Sequence, residues 1–209
     1  MTVRVVSLEE ESALSEAASV VTQGGLIAFP TDTVYGLGAS PYDPRAVEAL
    51  YAAKGRMTSK AIPILIGSAA DVSTVAATIP ARFQRLAEAF WPGPLTIILT
   101  RHMHLPRDLS DLATVGVRVP DHDAARRLLQ LTGPLAVTSA NCSGDPEPRN
   151  AEDVIRALGE EIDLLLDGGE TPGGRPSTVV ALEGGVLTVL REGPIGLAHL
   201  EEVMADGEH

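Results

Sequence analysis

The chain of 209 residues has a single cysteine, Cys142, so no disulfide can close within it and a thiolate-based zinc site would lack ligands. Aromatics are equally scarce. Three Phe, three Tyr and one Trp are too few for the stacking platforms that grip single-stranded nucleic acid. No apolar run approaches the roughly 18 residues of a membrane span, and the start, Met1 to Glu11, lacks the apolar stretch of a secretory leader. The expectation is a cytoplasmic protein with no membrane association. Positive charge is short too: 16 Lys and Arg against 28 Asp and Glu leave a formal net charge of −12, which opposes coating nucleic acid through bulk charge. What is plentiful is apolar residues, 44% against 21% charged. That is enough for one core, and the length suits a single domain over residues 1–209.

Continuous apolar runs at Leu26–Phe29, Ile62–Ile66, Leu95–Leu99, Val115–Val119, Leu135–Thr138 and Leu164–Leu166 predict strands, most of them buried on both faces, after a short strand at Arg4–Val6. Helices are predicted from a capping box at Ser7 and Glu10 to Gln23, and over Asp43–Lys54, Ala81–Trp91, Asp121–Leu131 and Ala151–Leu158. Ser177–Leu182 and Val186–Leu190 flank Glu183-Gly184-Gly185, a hairpin signal. The result is an α/β chain with a mixed sheet.

Only two of the cations are lysines, and both, Lys54 and Lys60, fall with Arg56 in one heptapeptide. A Lys point charge beside an Arg fork suits a polyphosphate; equally, cations complement a helix C-terminus. Small polar residues follow predicted strands in Phe29–Gly38 and Thr138–Gly144 and precede the hairpin in Gly173–Thr178. Strand ends are where open α/β sheets place ligands, although Thr31, Asp32 and Ser177 also fit as turn or cap residues. There is no G-x-x-x-x-G-K loop, and Gly36-Leu37-Gly38 lacks the third glycine of a dinucleotide fingerprint, so side chains would have to hold a nucleotide. His102 and His104 have no third metal ligand nearby, and no G-x-S-x-G elbow supports a serine hydrolase.

Six separated segments then agree in order: Pro30–Gly38, Lys54-x-Arg56, Trp91-Pro92-Gly93-Pro94-Leu95-Thr96, Val117–Pro120, Ser139-x-Asn141, and Pro176-Ser177-Thr178-Val179 followed by Arg191-Glu192-Gly193. Together they resemble the YrdC-like threonylcarbamoyl-AMP synthases. The resemblance implies a twisted mixed parallel and antiparallel sheet flanked by helices, with a concave active-site face. It implies a nucleotidyltransferase that joins L-threonine, bicarbonate and ATP, with Mg2+, into L-threonylcarbamoyladenylate and releases pyrophosphate. This is the first step of tRNA N6-threonylcarbamoyladenosine biosynthesis, with a TsaD-type transferase as functional partner and tRNA as downstream target. Carried over by position, Lys54 and Arg56 stand nearest the chemistry; Arg56, Lys60, Thr114, Asn141, Arg149 and Arg191 are ATP ligands; Thr33, Arg118, Ser139 and Ser177 are threonine ligands. The histidine that longer members carry after the lysine is absent, with Leu65 and Ile66 in that region. Two alternatives stand beside this reading: a YciO-like paralogue and an RNA-binding module without synthase activity. The synthase reading requires Arg56, Lys60, Asn141 and Arg191 to share one hollow.

Overall fold

A computed structural model describes residues 3–55, 61–109, 112–172, 174–183 and 186–205. Along the chain these form β1 (Arg4–Ser7), α1 (Ala13–Thr22), β2 (Ile27–Phe29), β3 (Gly36–Ala39), α2 (Pro44–Ala53), β4 (Ile64–Leu65), α3 (Ala81–Phe90), β5 (Leu95–Thr100), β6 (Thr114–Arg118), α4 (Asp123–Thr132), β7 (Leu135–Ser139), α5 (Ala151–Leu158), β8 (Leu164–Asp167), β9 (Thr178–Glu183), β10 (Val186–Arg191) and α6 (Leu197–Ala205), with short 3-10 turns at Ala69–Thr74 and Arg107–Leu109. The strands make one sheet in the order β1-β8-β2-β3-β7-β4-β6-β5-β9-β10. β8 runs parallel to β1 and β2, β4 to β6, and β5 to β9; β3 is antiparallel to β2 and β7, as is β9 to β10. The sheet is mixed, as the hairpin signal implies. Among the described residues no helix is long and apolar enough to cross a membrane.

The continuous apolar strands are explained by burial on both faces. Ile27 and Phe29 join the cluster under α1 and α4 with Val21, Leu128 and Leu129, whereas Ala28 between them joins the opposite core with Leu37, Leu50 and Ile64. Successive side chains of a strand point to opposite faces, so a strand covered on both sides has no polar position to spare.

Several boundaries differ from expectation. Ser7 and Glu10 do meet, the Ser7 amide donating to Glu10 Oε1 at 3.2 Å, but they close a turn, and α1 begins only at Ala13. The strand predicted over Ile62–Ile66 is confined to Ile64–Leu65, since Pro63 has no N–H to add to a ladder. Two elements were absent from the sequence reading, β3 and α6. β3 reads Gly-Leu-Gly-Ala, poor in strand formers. Its glycines serve packing: a Cβ on Gly36 would lie 2.7 Å from Val137 Cγ1, and one on Gly38 2.9 Å from Phe29 Cε1.

Candidate active site

The link from β2 to β3 is a tight turn tied by Thr31. Its hydroxyl donates to the Val34 carbonyl at 2.7 Å and accepts from the Thr33 and Val34 amides, so the turn reading holds for Thr31 itself, and the turn presents Thr33. Behind it the Tyr35 hydroxyl donates to the Gly169 carbonyl at 2.7 Å and accepts from the Gly168 amide. Burial pushes the Tyr35 hydroxyl up to about 12, with the Gly168 amide opposing and the Asp167 charge reinforcing. The phenol stays protonated, and its bonds fasten the turn to the segment after β8.

Arg118 ends β6 against this turn. It is 5% exposed, and its guanidinium donates through Nη2 to Asp32 Oδ1 at 2.5 Å, through Nη1 to Thr33 Oγ1 at 3.2 Å and through Nε to the Gly93 carbonyl at 3.0 Å. Burial pushes the guanidinium down from its ordinary value; Asp32 opposes this, and the nearby Arg191 charge adds a smaller depression. Removing either partner of such a buried pair leaves an uncompensated charge, a loss of about 3 to 5 kcal/mol. Asp32 is therefore more than a turn residue.

Lys54 follows α2 and is 3% exposed. Its ammonium donates to the Ser139 carbonyl at 2.6 Å, to Asn141 Oδ1 at 2.8 Å and to the Asn141 carbonyl. An ammonium has three protons, and these three acceptors anchor the chain where it leaves β7. The Asn141 amide in turn donates to the Asp145 carbonyl at 2.7 Å.

Arg191, closing β10, donates to the Ser177 carbonyl and hydroxyl at 2.9 and 3.1 Å, and the Ser177 and Thr96 hydroxyls are 2.8 Å apart. Just beyond, Gly193 passes the backbone of residues 176–178 so closely that a Cβ would lie 2.3 Å from the Thr178 nitrogen.

These groups line one cavity of about 420 Å³, which takes in Thr33, Lys54, Arg118, Ser139, Asn141, Ser177 and Arg191. Asn141 and Arg191 thus share a hollow as the synthase reading requires. Arg56 and Lys60 lie outside the described residues, although Lys54 and Ala61, which bracket them, both line the cavity. The structure does not bring Thr114 or Arg149 to its wall. Thr114 begins β6, paired with Thr100, roughly 13 Å along the strand from Arg118; the Arg149 guanidinium pairs with Glu170 at 2.9 Å, both half-exposed or more. Leu65 lines the cavity in the region where longer members carry a histidine, and Cys142 lines it while packing against the core. Sequence reasoning missed the Asp32–Arg118 pair and the support of Ser177 by Thr96, contacts between positions 86 and 81 residues apart. The available signal was the co-occurrence of Asp32 and Thr96 within motifs that also hold site residues. His102 and His104 stack at 4.7 Å between ring centres, and among the described residues no group of three or more His, Cys, Asp or Glu gathers as a metal site.

An open mixed sheet with buried hydroxyls, guanidinium groups and an ammonium around one cavity defines an α/β domain built to hold anions. Residues 19–193 match the Sua5/YciO/YrdC family model, described as telomere recombination, and the chain belongs to that family. It is 40% identical over 199 residues to the threonylcarbamoyl-AMP synthase of Pyrococcus abyssi, an alignment covering 94% of this chain and 58% of that protein. It is 34% identical over 175 residues to the threonylcarbamoyl-AMP synthase of Stutzerimonas stutzeri, covering 82% and 94% respectively. The crystal structure of P. abyssi Sua5 complexed with L-threonine superposes with a TM-score of 0.92 at 39% identity, over 98% of this chain and 61% of the other. The chain therefore spans about three fifths of the length of the Pyrococcus relative.

Proposed function

We propose that this chain is a threonylcarbamoyl-AMP synthase acting in the cytoplasm. The observation that carries the reading is the convergence of Thr33, Arg118, Ser139, Asn141, Ser177 and Arg191, from five separate stretches of sequence, on one cavity. The synthases that it resembles and the relative complexed with L-threonine support the choice of substrate.

In this reading the threonine amine takes up CO2 from bicarbonate, losing a proton and leaving a carbamate, and water is the by-product. A carbamate oxygen then attacks the α-phosphorus of ATP, the bond to the bridging oxygen breaks, and pyrophosphate departs with the electron pair. Charge on the non-bridging and leaving oxygens is what the site must stabilise, and such chemistry is mostly positioning and electrostatics. Arg118 takes the threonine carboxylate through the two N–H groups that remain beyond its three contacts. Thr33 and Ser139 reach the substrate's polar atoms, and Arg191, Asn141, Arg56 and Lys60 take the nucleotide. Lys54 acts through the chain after β7, because its protons already end on Ser139 and Asn141. Mg2+ enters as part of the nucleotide substrate, and the product feeds a TsaD-type transferase that modifies tRNA.

Mass-spectrometric detection of threonylcarbamoyl-AMP, together with pyrophosphate release from threonine, bicarbonate and ATP, tests substrate and reaction at once. Arg56→Ala and Lys60→Ala each lose a charge-assisted contact and are expected to fall at least about tenfold in kcat/KM. Absence of the product from the wild-type reaction overturns the proposal.

A further inference from the structure

Glu147 also lines the cavity, and its Oε2 is buried without a hydrogen-bond partner among the described residues. The backbone around it is pinned. On one side the Asn141 amide holds the Asp145 carbonyl; on the other the Pro148 carbonyl accepts from the Tyr35 amide at 3.1 Å and the Arg149 carbonyl from the Thr171 amide at 2.8 Å. These bonds hold the backbone on either side of Glu147, which is itself half-buried. A buried carboxylate oxygen with no donor is unfavourable unless a ligand supplies one.

Resting on the synthase reading, we propose that Glu147 accepts hydrogen bonds from the ribose hydroxyls of ATP. The substrates narrow the choice. Phosphate and carboxylate groups are repelled by Glu147. The threonine ammonium must shed its proton before the nitrogen can take up CO2, and a carboxylate partner would hold that proton in place. Of the donors that remain, the threonine hydroxyl and the carbamate N–H each bring a single proton, which serves one carboxylate oxygen and leaves the other unmet. The adenine edges set an acceptor nitrogen beside each N6 hydrogen, so a carboxylate's second oxygen would face a lone pair there. A vicinal diol presents two donors that match the two oxygens, the pairing by which an acidic residue holds ribose in dinucleotide sites. Glu147 then grips the nucleoside while the guanidinium and ammonium groups grip the anions.

The test measures equilibrium binding of ATP, 2′-deoxyATP and 3′-deoxyATP, without threonine, to the wild type, Glu147→Ala and Glu147→Gln, beside product formation by the wild type. The wild type is expected to bind ATP at least about tenfold tighter than one or both deoxynucleotides. Glu147→Ala should bind all three alike, near the wild-type affinity for the weaker ones. Glu147→Gln, which keeps one acceptor oxygen and the side-chain volume, should retain part of the preference. A wild type with no ribose preference, or Glu147→Ala with the full preference, overturns the proposal. A wild type that shows the preference and makes no threonylcarbamoyl-AMP leaves Glu147 in its role and overturns the synthase reading instead.

Discussion

Two buried cations serve the same cavity in different ways. The Lys54 ammonium donates to neutral acceptors, the Ser139 carbonyl and both oxygens of Asn141, whereas the Arg118 guanidinium meets a carboxylate, a hydroxyl and a carbonyl and, among the described residues, keeps two further N–H groups to offer. The first organises backbone; in the proposed synthase reading the second is a carboxylate receptor oriented by Asp32. Burial of a cation in a site is therefore no measure of its contact with substrate; what matters is where its protons already go.

Lys54→Met breaks the comparison most severely. It orphans three acceptors at the exit of β7 and should lower stability by on the order of 3 to 5 kcal/mol, seen as a fall in the urea midpoint, with turnover lost and both substrates affected together. Stability and turnover within a factor of a few of wild type would deny Lys54 its organising part. Arg118→Lys sharpens the other half. The charge facing Asp32 survives while the fork is lost, so the threonine KM should rise about ten- to hundredfold and the ATP KM much less; equal rises would count against a carboxylate receptor.

The smallest effect concerns His122, which caps α4 by accepting from the Ala125 amide. Burial holds its imidazole below the ordinary value, opposed by the Asp32 and Asp123 charges. The unfolded chain then binds a proton at higher pH than the folded one. The stabilisation is fully present above the unfolded value of about 6.5 and is lost as pH falls through it toward the folded value. His122→Asn keeps a capping oxygen and should flatten that part of the acid limb in urea midpoints taken from pH 8 to 5. Identical limbs in the two proteins would remove His122 from the pH response.

Legibility followed burial. β2, β5, β6, β7 and β8 are readable because strands covered on both faces are apolar at nearly every position. β3 is unreadable for the opposite reason: Gly36 and Gly38 are chosen by the closeness of Val137 and Phe29, neighbours that exist only after folding. In the site, Thr33, Arg118, Ser139, Asn141, Ser177 and Arg191 were legible through their motifs. Thr114 and Arg149 came from the same resemblance; Thr114 lies two residues along β6 from the cavity-lining Gly116, and the Arg149 guanidinium pairs with Glu170 at the surface. Glu147 carries no motif signal, because a lone acid among prolines reads as a solvated loop.

By itself the amino-acid order determined the class of fold, the concentration of scarce ammonium groups in one heptapeptide and the residue types available to hold an anion, since these rest on local pattern and composition. Only the tertiary structure decided which protons are already committed. Asp32 claims part of Arg118 across 86 positions, Ser139 and Asn141 absorb Lys54, and one oxygen of Glu147 is left waiting in the wall. Hydrogen-bond partnership is a matter of angstroms, and distance along a chain does not encode it.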